Sequence, residues 1–394
     1  MEILKERTKS ICPQCYQELD AKVVEVNNEV FLEKECSEHG RFKILIEKDV
    51  EFYKRIMNKE FKKERVPFLK LALPITRQCN LNCQVCYSPD RRNKDFSLEE
   101  LTKVIRDFKC SLIKLTGGEP TLNKDLPFLI KTVHESGKVS GLVTNGINLT
   151  DINYVKVLKE AGLNRIAVTF NGFSDDIHEK INGQKLLKQK LRALKTLKKA
   201  GMEVVLSVTL VRGINENELG KLYRYYLDNQ SFIKLLRIRS QSQVGRYVET
   251  NSFCLSEIIG LISKASGFSK EELVEPLFQY PHFCPSTCRF DLDMFESFIY
   301  RINKRGIPNK RFRKIRFILE SLSLFGARKT LKMVINKIKG KRKLLDAVIT
   351  IRVWPDKQRI DLGEMQWCFT ALLTQDRDFL PFCYAIIMEE KSCV

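Results

Sequence analysis

The sequence has no run of 18 or more apolar residues, the length that a membrane-spanning helix needs. Its first residues, MEILKERTKS, also lack the apolar middle of a secretory signal. We therefore expect a soluble, cytoplasmic protein. With 394 residues, 43% of them hydrophobic, the chain can form one large core with smaller appendages.

Acidic residues are nearly missing between Arg301 and Lys343, where sixteen Lys or Arg residues accompany one acid, Glu320. This segment accounts for most of the net charge of +20. Its apolar residues recur at helical spacing with the cations on the other face, which is typical of a basic amphipathic helix. Such a helix would either contact the anionic inner membrane surface peripherally or cap the main domain. We do not expect nucleic-acid binding, because the aromatic residues lie with the apolar face.

Cysteine, by contrast, is plentiful, with thirteen residues. In a reducing compartment clustered thiols more often bind metals or do redox chemistry than form disulfides. The first cluster has the spacing C-x2-C and then C-x2-H, and consists of Cys12, Cys15, Cys36 and His39. The segment between the two halves alternates like a hairpin, with Asn27 and Asn28 at the turn. This pattern predicts a small metal-binding ribbon for zinc or mononuclear iron, with His39 or another cysteine as the fourth ligand.

After the ribbon, short apolar runs alternate with helical patterns. The strand candidates are residues 69–75, 112–116, 140–144, 165–170, 203–211 and 235–240. The first helical pattern opens with Ser97 and has Glu100 three residues later, which is a capping box. Strands and helices alternating at this spacing predict an α/β fold with a parallel sheet or barrel of βα units.

Polar and glycine-rich segments follow these strands. They are GGEP at 117–120, NG at 145–146, NG at 171–172 and RGIN at 212–215. In barrels and open α/β sheets ligands bind at the carboxyl ends of the strands. The segment TRQCNLNCQVCYSPD follows the first strand, so we expect its cysteines to lie at the same edge.

The three cysteines of that segment are Cys79, Cys83 and Cys86, spaced C-x3-C-x2-C. A four-iron cluster normally takes four thiolates. Three in one short loop would leave one iron open for another ligand. Zinc loops prefer C-x2-C pairs, so a zinc site is the weaker interpretation.

The sequence CNLNCQVCY, followed in order by GGEP and VTNG, resembles the signature of the radical S-adenosylmethionine (SAM) superfamily. The resemblance implies a partial (β/α)6 TIM-like barrel in which Cys79, Cys83 and Cys86 hold a [4Fe–4S] cluster and the open iron binds SAM. Reductive cleavage of SAM would then give a 5′-deoxyadenosyl radical for C–H activation, with an electron from a reductant such as ferredoxin or flavodoxin.

The same resemblance implies positions for the residues around SAM. Tyr87 would lie near the adenine, while Asn145 and Asn171 would lie near the ribose and carboxylate. For Asn171 a plain turn role is equally open. The full set of expected SAM-contacting residues is Tyr87, Thr116, Gly117, Gly118, Glu119, Pro120, Thr144, Asn145 and Asn171.

Further cysteines follow the barrel. Cys284, Cys288, Cys368 and Cys383 could complete an auxiliary [4Fe–4S] cluster, or some of them could be buried apolar thiols. Cys254 and Cys393 are spare candidates, and we expect Cys110 to be part of the core. We expect three domains: a metal-binding ribbon over 1–60, the radical SAM core over 65–245, and an extension over 246–394 with the basic helix and the auxiliary cluster.

The order of motifs along the chain is similar to one branch of the superfamily, which contains archaeal tetraether lipid synthases and dihydropterin methyltransferase-like proteins. The first function we expect is carbon–carbon bond formation or carbon addition on a lipid or isoprenoid-type substrate. The alternative is C-methylation of a pterin-like heterocycle, or peptide modification. A binding protein that makes no radicals is disfavoured, because the three cysteines and GGEP are all present.

Overall fold

The computed structural model describes residues 2–58, 68–88, 94–247, 251–279, 289–293 and 348–391, and scattered positions between 318 and 335. The sixteen cations of the basic segment lie outside these residues, as do Cys284, Cys288 and Cys393. Within the described part of the chain, no helix is both long and apolar enough to cross a membrane.

The N-terminal residues form a four-stranded antiparallel sheet in the order β1-β2-β3-β4. The strands are Glu2–Ile11, Glu18–Val26, Glu29–Cys36 and Gly40–Glu47. Asn27 and Asn28 have φ angles of 53° and 62°, which confirms the predicted two-residue hairpin turn between β2 and β3. Helix α1, Val50–Met57, follows and buries Tyr53 against this sheet and Phe52 against the main core.

The main sheet contains ten strands among the described residues, in the order β11-β12-β10-β9-β8-β7-β6-β5-β13-β14. Six consecutive strands, β5 to β10, are parallel neighbours, as the alternation in the sequence predicts. Their bounds are Lys70–Pro74, Leu112–Thr116, Val139–Thr144, Arg165–Thr169, Glu203–Leu210 and Ile233–Ser240.

The C-terminal part of the chain extends this sheet at both ends. Strand β12, Val348–Arg352, joins β10 in parallel, and β13, Thr370–Leu373, joins β5 in parallel. The outermost strands, β11 at Arg289–Asp293 and β14 at Phe379–Pro381, are antiparallel. These additions were not predicted. Among the described residues the sheet stays open, so the fold is a partial barrel rather than a closed one.

Helices lie between and after the strands of this sheet. They are α2 Leu98–Asp107, α3 Leu126–Glu135, α4 Ile152–Glu160, α5 Asp175–Asn182, α6 Leu187–Lys199, α7 Leu219–Asp228, α8 Leu255–Ser266, α9 Lys270–Gln279, α10 Leu362–Met365 and α11 Phe382–Lys391. The predicted capping box is present at the start of α2, where Ser97 and Glu100 exchange hydrogen bonds with each other's backbone N–H groups.

The two faces of the main sheet differ in polarity. One face carries fully buried aliphatic residues such as Leu73, Leu115 and Ile238, which form the main core with the helices. The alternate positions carry polar residues such as Lys114 and Arg239, which line an inner cavity. Since both faces of a parallel sheet are normally apolar, the polar inner face indicates a ligand site.

The sheet curves around this cavity. Ala72 of β5, Arg352 of β12 and Thr370 of β13 line it together, although β5 and β12 are separated by five other strands in the order of the sheet. The cavity is small, with a volume of about 50 Å³.

The N-terminal sheet is docked onto the C-terminal segment by buried polar contacts. The ammonium of Lys34, only 4% exposed, donates to the hydroxyl of Ser10 (3.0 Å) and to the carbonyl of Gln358 (2.8 Å). Burial lowers the pKa of Lys34 to about 8. The Ser10 hydroxyl also donates to the carbonyl of Ile360 (2.6 Å), and Lys5 pairs with Asp361 at 2.6 Å.

The hydroxyl of Tyr226, on helix α7, forms hydrogen bonds that hold β12 against the barrel. The Tyr226 hydroxyl accepts from the N–H of Val348 (2.8 Å) and donates to its carbonyl (3.2 Å). Tyr226→Phe would leave these groups unpaired, so we expect it to lower the free energy of unfolding by roughly 1–3 kcal/mol in a urea titration.

Tyr223→Phe is the matched control. Tyr223 lies on the same helix, is 2% exposed, and its hydroxyl has no hydrogen-bond partner among the described residues. Its removal should be neutral or slightly stabilising. Equal destabilisation by the two changes would contradict the assigned role of Tyr226.

Candidate active site and metal centres

The loop that carries Cys79, Cys83 and Cys86 lies at the carboxyl end of β5 and contains no helix or strand of its own. Backbone groups of the neighbouring GGEP segment fix its beginning. The N–H of Gly118 donates to the carbonyl of Thr76 (2.8 Å), and the N–H of Glu119 donates to the carbonyl of Gln78 (2.7 Å). The first turn of the cysteine loop is therefore tied to the end of β6.

The glycines of GGEP permit this close approach. Gly117 has a φ angle of 131°, a conformation that favours glycine. A Cβ at Gly117 would overlap the carbonyl of Thr76, and one at Gly118 would overlap the carbonyl of Gln78. Side chains at these two positions would push the cysteine loop away from the sheet.

The second half of the loop is held by the segment after β10. The N–H of Arg246 donates to the carbonyl of Cys86 (3.0 Å), and its guanidinium donates to the carbonyl of Cys83 (3.1 Å). Helix α5 adds a third anchor, because the N–H of Gln84 donates to the carbonyl of Ile181 (3.0 Å).

The three thiols are half-buried and interact electrostatically. Burial raises the pKa of the Cys86 thiol, and the nearby Cys83 and Cys79 thiolates raise it further. Thiolates that interact in this way are stabilised by a strongly positive group, which iron supplies. The amide of Asn182 donates to Sγ of Cys83 (3.4 Å), the kind of contact that tunes iron–sulfur clusters. The donor set thus fits three irons of a [4Fe–4S] cluster.

Glu119 connects two strand ends inside the protein. Its carboxylate is 1% exposed, and one oxygen accepts from the hydroxyls of Thr121 and Thr144 (both 2.6 Å). The other oxygen accepts from the N–H of Asn145 (2.7 Å). Glu119 therefore fixes GGEP and VTNG relative to each other.

The asparagines expected near SAM have different surroundings. The amide of Asn145 donates to the side chain of Asn80 in the cysteine loop (2.7 Å). Asn171 is 1% exposed, and its side-chain oxygen accepts from the N–H of Thr209 (3.0 Å). Its amide contacts Asn182 at 3.4 Å. Asn171 thus has internal contacts, and its expected contact with SAM stays a prediction.

Tyr87, directly after the last cysteine, packs in an aromatic group. Its ring lies 5.4 Å from that of Trp354 and 6.1 Å from that of Phe382, both in edge-on geometry. Tyr87 and Thr116 also line the inner cavity. The cavity thus begins beside residues that we expected to contact SAM.

The ribbon brings its four predicted ligands together. One candidate atom from each of Cys12, Cys15, Cys36 and His39 lies within 4.8 Å of the others. The Sγ atoms of Cys15 and Cys36 are 3.9 Å apart, near the edge of about 3.8 Å that a zinc tetrahedron with 2.3 Å bonds requires. A hydrogen bond with His39 lowers the pKa of the Cys36 thiol. Among the possible fourth ligands, the structure places His39 in this group.

The auxiliary cluster stays a prediction. Cys284 and Cys288 lie outside the described residues. Cys368 donates to the carbonyl of Thr370 (3.4 Å), and Cys383 is buried in the first turn of α11. In the described part of the chain, neither belongs to a group of three or more metal-ligating side chains. Cys110 packs against the main core, as expected.

Two sets of site residues were missed from the sequence. Lys190 of α6 is fully buried and donates to the carbonyls of Asn145 (2.9 Å) and Thr169 (2.7 Å), so it holds the ends of β7 and β8. Lys190 lies four residues from both Leu186 and Leu194, on the apolar face of the helix. This position is the sequence feature that could have indicated its burial. The second set is the cations of the cavity, where Arg237 and Arg239 alternate with the core residues of β10.

Comparison with known proteins defines the class of protein first. Residues 73–226 match the model of the radical SAM superfamily. A radical SAM domain implies a [4Fe–4S] cluster and SAM, which confirms the family resemblance and these two cofactors. Residues 4–48 match the model described as "HMPTM N-terminal zinc ribbon domain", in agreement with the Cys/His group. The chain thus carries a radical SAM domain behind an HMPTM-type zinc ribbon.

Individual relatives share parts of the chain. A 7,8-dihydro-6-hydroxymethylpterin dimethyltransferase of Methanocaldococcus jannaschii is 33% identical over 62% of this chain and 55% of its own length. A probable GTP 3′,8-cyclase of Pyrococcus abyssi is 29% identical over 48% of this chain and 61% of its own length. The chain therefore spans little more than half the length of these relatives. Among solved structures, Streptococcus suis SuiB bound to precursor peptide SuiA matches 56% of this chain and 48% of its own, with 16% identity and a TM-score of 0.46.

The close contact between the segment after β10 and the cysteine loop predicts that Gly245→Ala impairs cluster binding. Gly245 has a φ angle of 69°, and a Cβ there would overlap the backbone of Cys86 and Tyr87. After anaerobic reconstitution, we expect the variant to contain less iron and sulfide than the unchanged protein, by roughly the content of one cluster. The reason is that the added Cβ displaces the loop.

Gly213→Ala is the matched control. Gly213 has a similar φ angle of 75°, but a Cβ there meets nothing within 4 Å. It should cost about 1 kcal/mol for the left-handed backbone and retain full iron. Equal iron content in the two variants would show that the contact of Gly245 with Cys86 is dispensable.

Proposed function

We propose that the protein is a radical SAM enzyme whose substrate is a small polar heterocycle of the pterin type, which it modifies by addition of carbon at a C–H position. The observation that carries the proposal is the shared edge of the sheet. The cysteine loop, GGEP and VTNG lie at the carboxyl ends of β5 to β7, and Tyr87, Thr116 and Val143 at this edge also line the inner cavity.

The cavity favours a heterocycle over the lipid or isoprenoid chain that we expected first. A long chain needs an extended apolar channel. Among the described residues, the cavity beside Tyr87 is lined instead by four cations, Lys114, Arg237, Arg239 and Arg352, which suit a polar substrate. The zinc ribbon match and the pterin-dimethyltransferase relative support the same substrate class.

Each part of the site has a proposed role. Cys79, Cys83 and Cys86 would hold three irons of the cluster. When bound, the cluster and SAM supply a radical that removes hydrogen from carbon. Glu119 and Lys190 would keep the strand ends in place, so that the backbone of GGEP and VTNG can contact SAM. The rings of Tyr87, Trp354 and Phe382 would exclude water from the reacting centre. A one-electron reductant such as ferredoxin or flavodoxin is a required partner.

The proposal is tested by deuterium transfer. The anaerobically reconstituted protein is reduced with SAM and 6-hydroxymethyl-7,8-dihydropterin that carries deuterium at its saturated ring carbon and hydroxymethyl carbon. We expect deuterium in the 5′-deoxyadenosine, measured by mass spectrometry, because the substrate hydrogen is removed directly.

Two variants with one thiol removed serve as controls. Cys86→Ala should abolish 5′-deoxyadenosine formation, and Cys110→Ala, outside the cysteine loop, should retain it. If 5′-deoxyadenosine forms without deuterium, the pterin is the wrong substrate. If none forms from fully loaded protein, the enzyme proposal itself is wrong.

A further inference from the structure

The inner face of the main sheet carries four cations around one cavity, and the roles assigned above do not use them. They are Lys114 of β6, Arg237 and Arg239 of β10, and Arg352 of β12. We call them the inner cation cluster. The other described lining residues are neutral: Ala72, Tyr87, Thr116, Val143, Trp354, Thr370 and Phe382.

Strand register brings these cations together. Arg239 lies directly beside Arg352 in the parallel pair of β10 and β12, and Arg237 is two residues earlier on the same face. The proximity has an electrostatic cost. Burial lowers the pKa of Arg239, and the charge of Arg352 lowers it further. A second positive charge beside the buried guanidinium of Arg239 is unfavourable unless Arg239 has an opposite charge among its own contacts.

Within the described part of the chain, the contacts of Arg239 include no acidic group. Its guanidinium donates to the hydroxyl of Thr209 (3.0 Å) and lies 5.0 Å from the ring of Trp354. Its Nε is buried and has no hydrogen-bond partner among the described residues. A buried guanidinium N–H without an acceptor is costly, and arginine forks fit the two oxygens of a phosphate or carboxylate.

We propose that the inner cation cluster binds an oxyanion carried by the substrate, a phosphate or a carboxylate. The inference rests on the proposed function, because it names the chemistry of the substrate of that same site. A cavity of about 50 Å³ is large enough for such a group. Since Tyr87 and Thr116 line the same cavity, the oxyanion anchors the substrate beside residues that we expect to contact SAM.

The first arm of the test uses inorganic phosphate with the cluster-loaded, SAM-bound full chain. Binding is followed by saturable broadening of the ³¹P resonance at constant ionic strength. We expect Arg239→Gln to abolish the broadening and Arg239→Lys to weaken it, since lysine keeps the charge but loses the fork. Arg165→Gln, an exposed arginine on β8, should leave the broadening unchanged.

The second arm compares three dihydropterins that differ at the 6-substituent: hydroxymethyl, its phosphate monoester, and carboxylate. Calorimetric titration should show at least about tenfold tighter binding of one anionic form than of the neutral form, and Arg239→Gln should remove that difference. Whichever anion binds more tightly identifies the source of the oxyanion.

The outcomes separate the two proposals. The inference is wrong if phosphate broadening is absent, or if Arg239→Gln leaves it unchanged while 5′-deoxyadenosine is still formed. It is also wrong if the three pterins bind equally. If phosphate binds through Arg239 but no pterin binds, the inner cation cluster is an oxyanion site and the pterin proposal fails.

Discussion

The loop of three cysteines depends on backbone hydrogen bonds that come from other parts of the chain. Gly118 and Glu119 hold its beginning, while Ile181 and Arg246 hold its middle and end. The loop has no helix or strand of its own, so these contacts set where the thiols lie. Gly118 and Glu119 follow β6, Ile181 is part of α5, and Arg246 lies after β10. The cluster site is therefore a product of the whole parallel sheet, and not of the C-x3-C-x2-C motif alone.

Glu119 and Lys190 extend the same constraint to the side of the site where we expect SAM to bind. Both are buried charged residues whose contacts are with backbone groups and hydroxyls at the ends of β6, β7 and β8. A buried charge is tolerated only where such partners are present, and losing one partner is costly. These two side chains thus favour one arrangement of the strand ends. That rigidity is what a site needs to position a reactive species against a C–H bond.

Local patterns predicted the elements that depend on local chemistry. The six parallel strands, the capping box of Ser97 and Glu100, and the hairpin turn at Asn27 and Asn28 were all read from the sequence and are confirmed. The features that were missed depend on distant pairing. Strands β12 and β13 are short apolar runs. Their positions in the sheet depend on pairing with β10 and β5, which are distant in the sequence. Lys190 was not identified from the sequence, because its acceptors lie 21 and 45 residues away in the chain.

The central claim is that Cys79, Cys83 and Cys86 hold a cluster with one iron open to SAM. The most direct test is electron paramagnetic resonance of the reduced, reconstituted protein, recorded with and without SAM. If SAM binds the open iron, its addition should change the g values of the cluster signal that is lost in Cys86→Ala. A signal that depends on Cys86 but does not change with saturating SAM would contradict this account of the site.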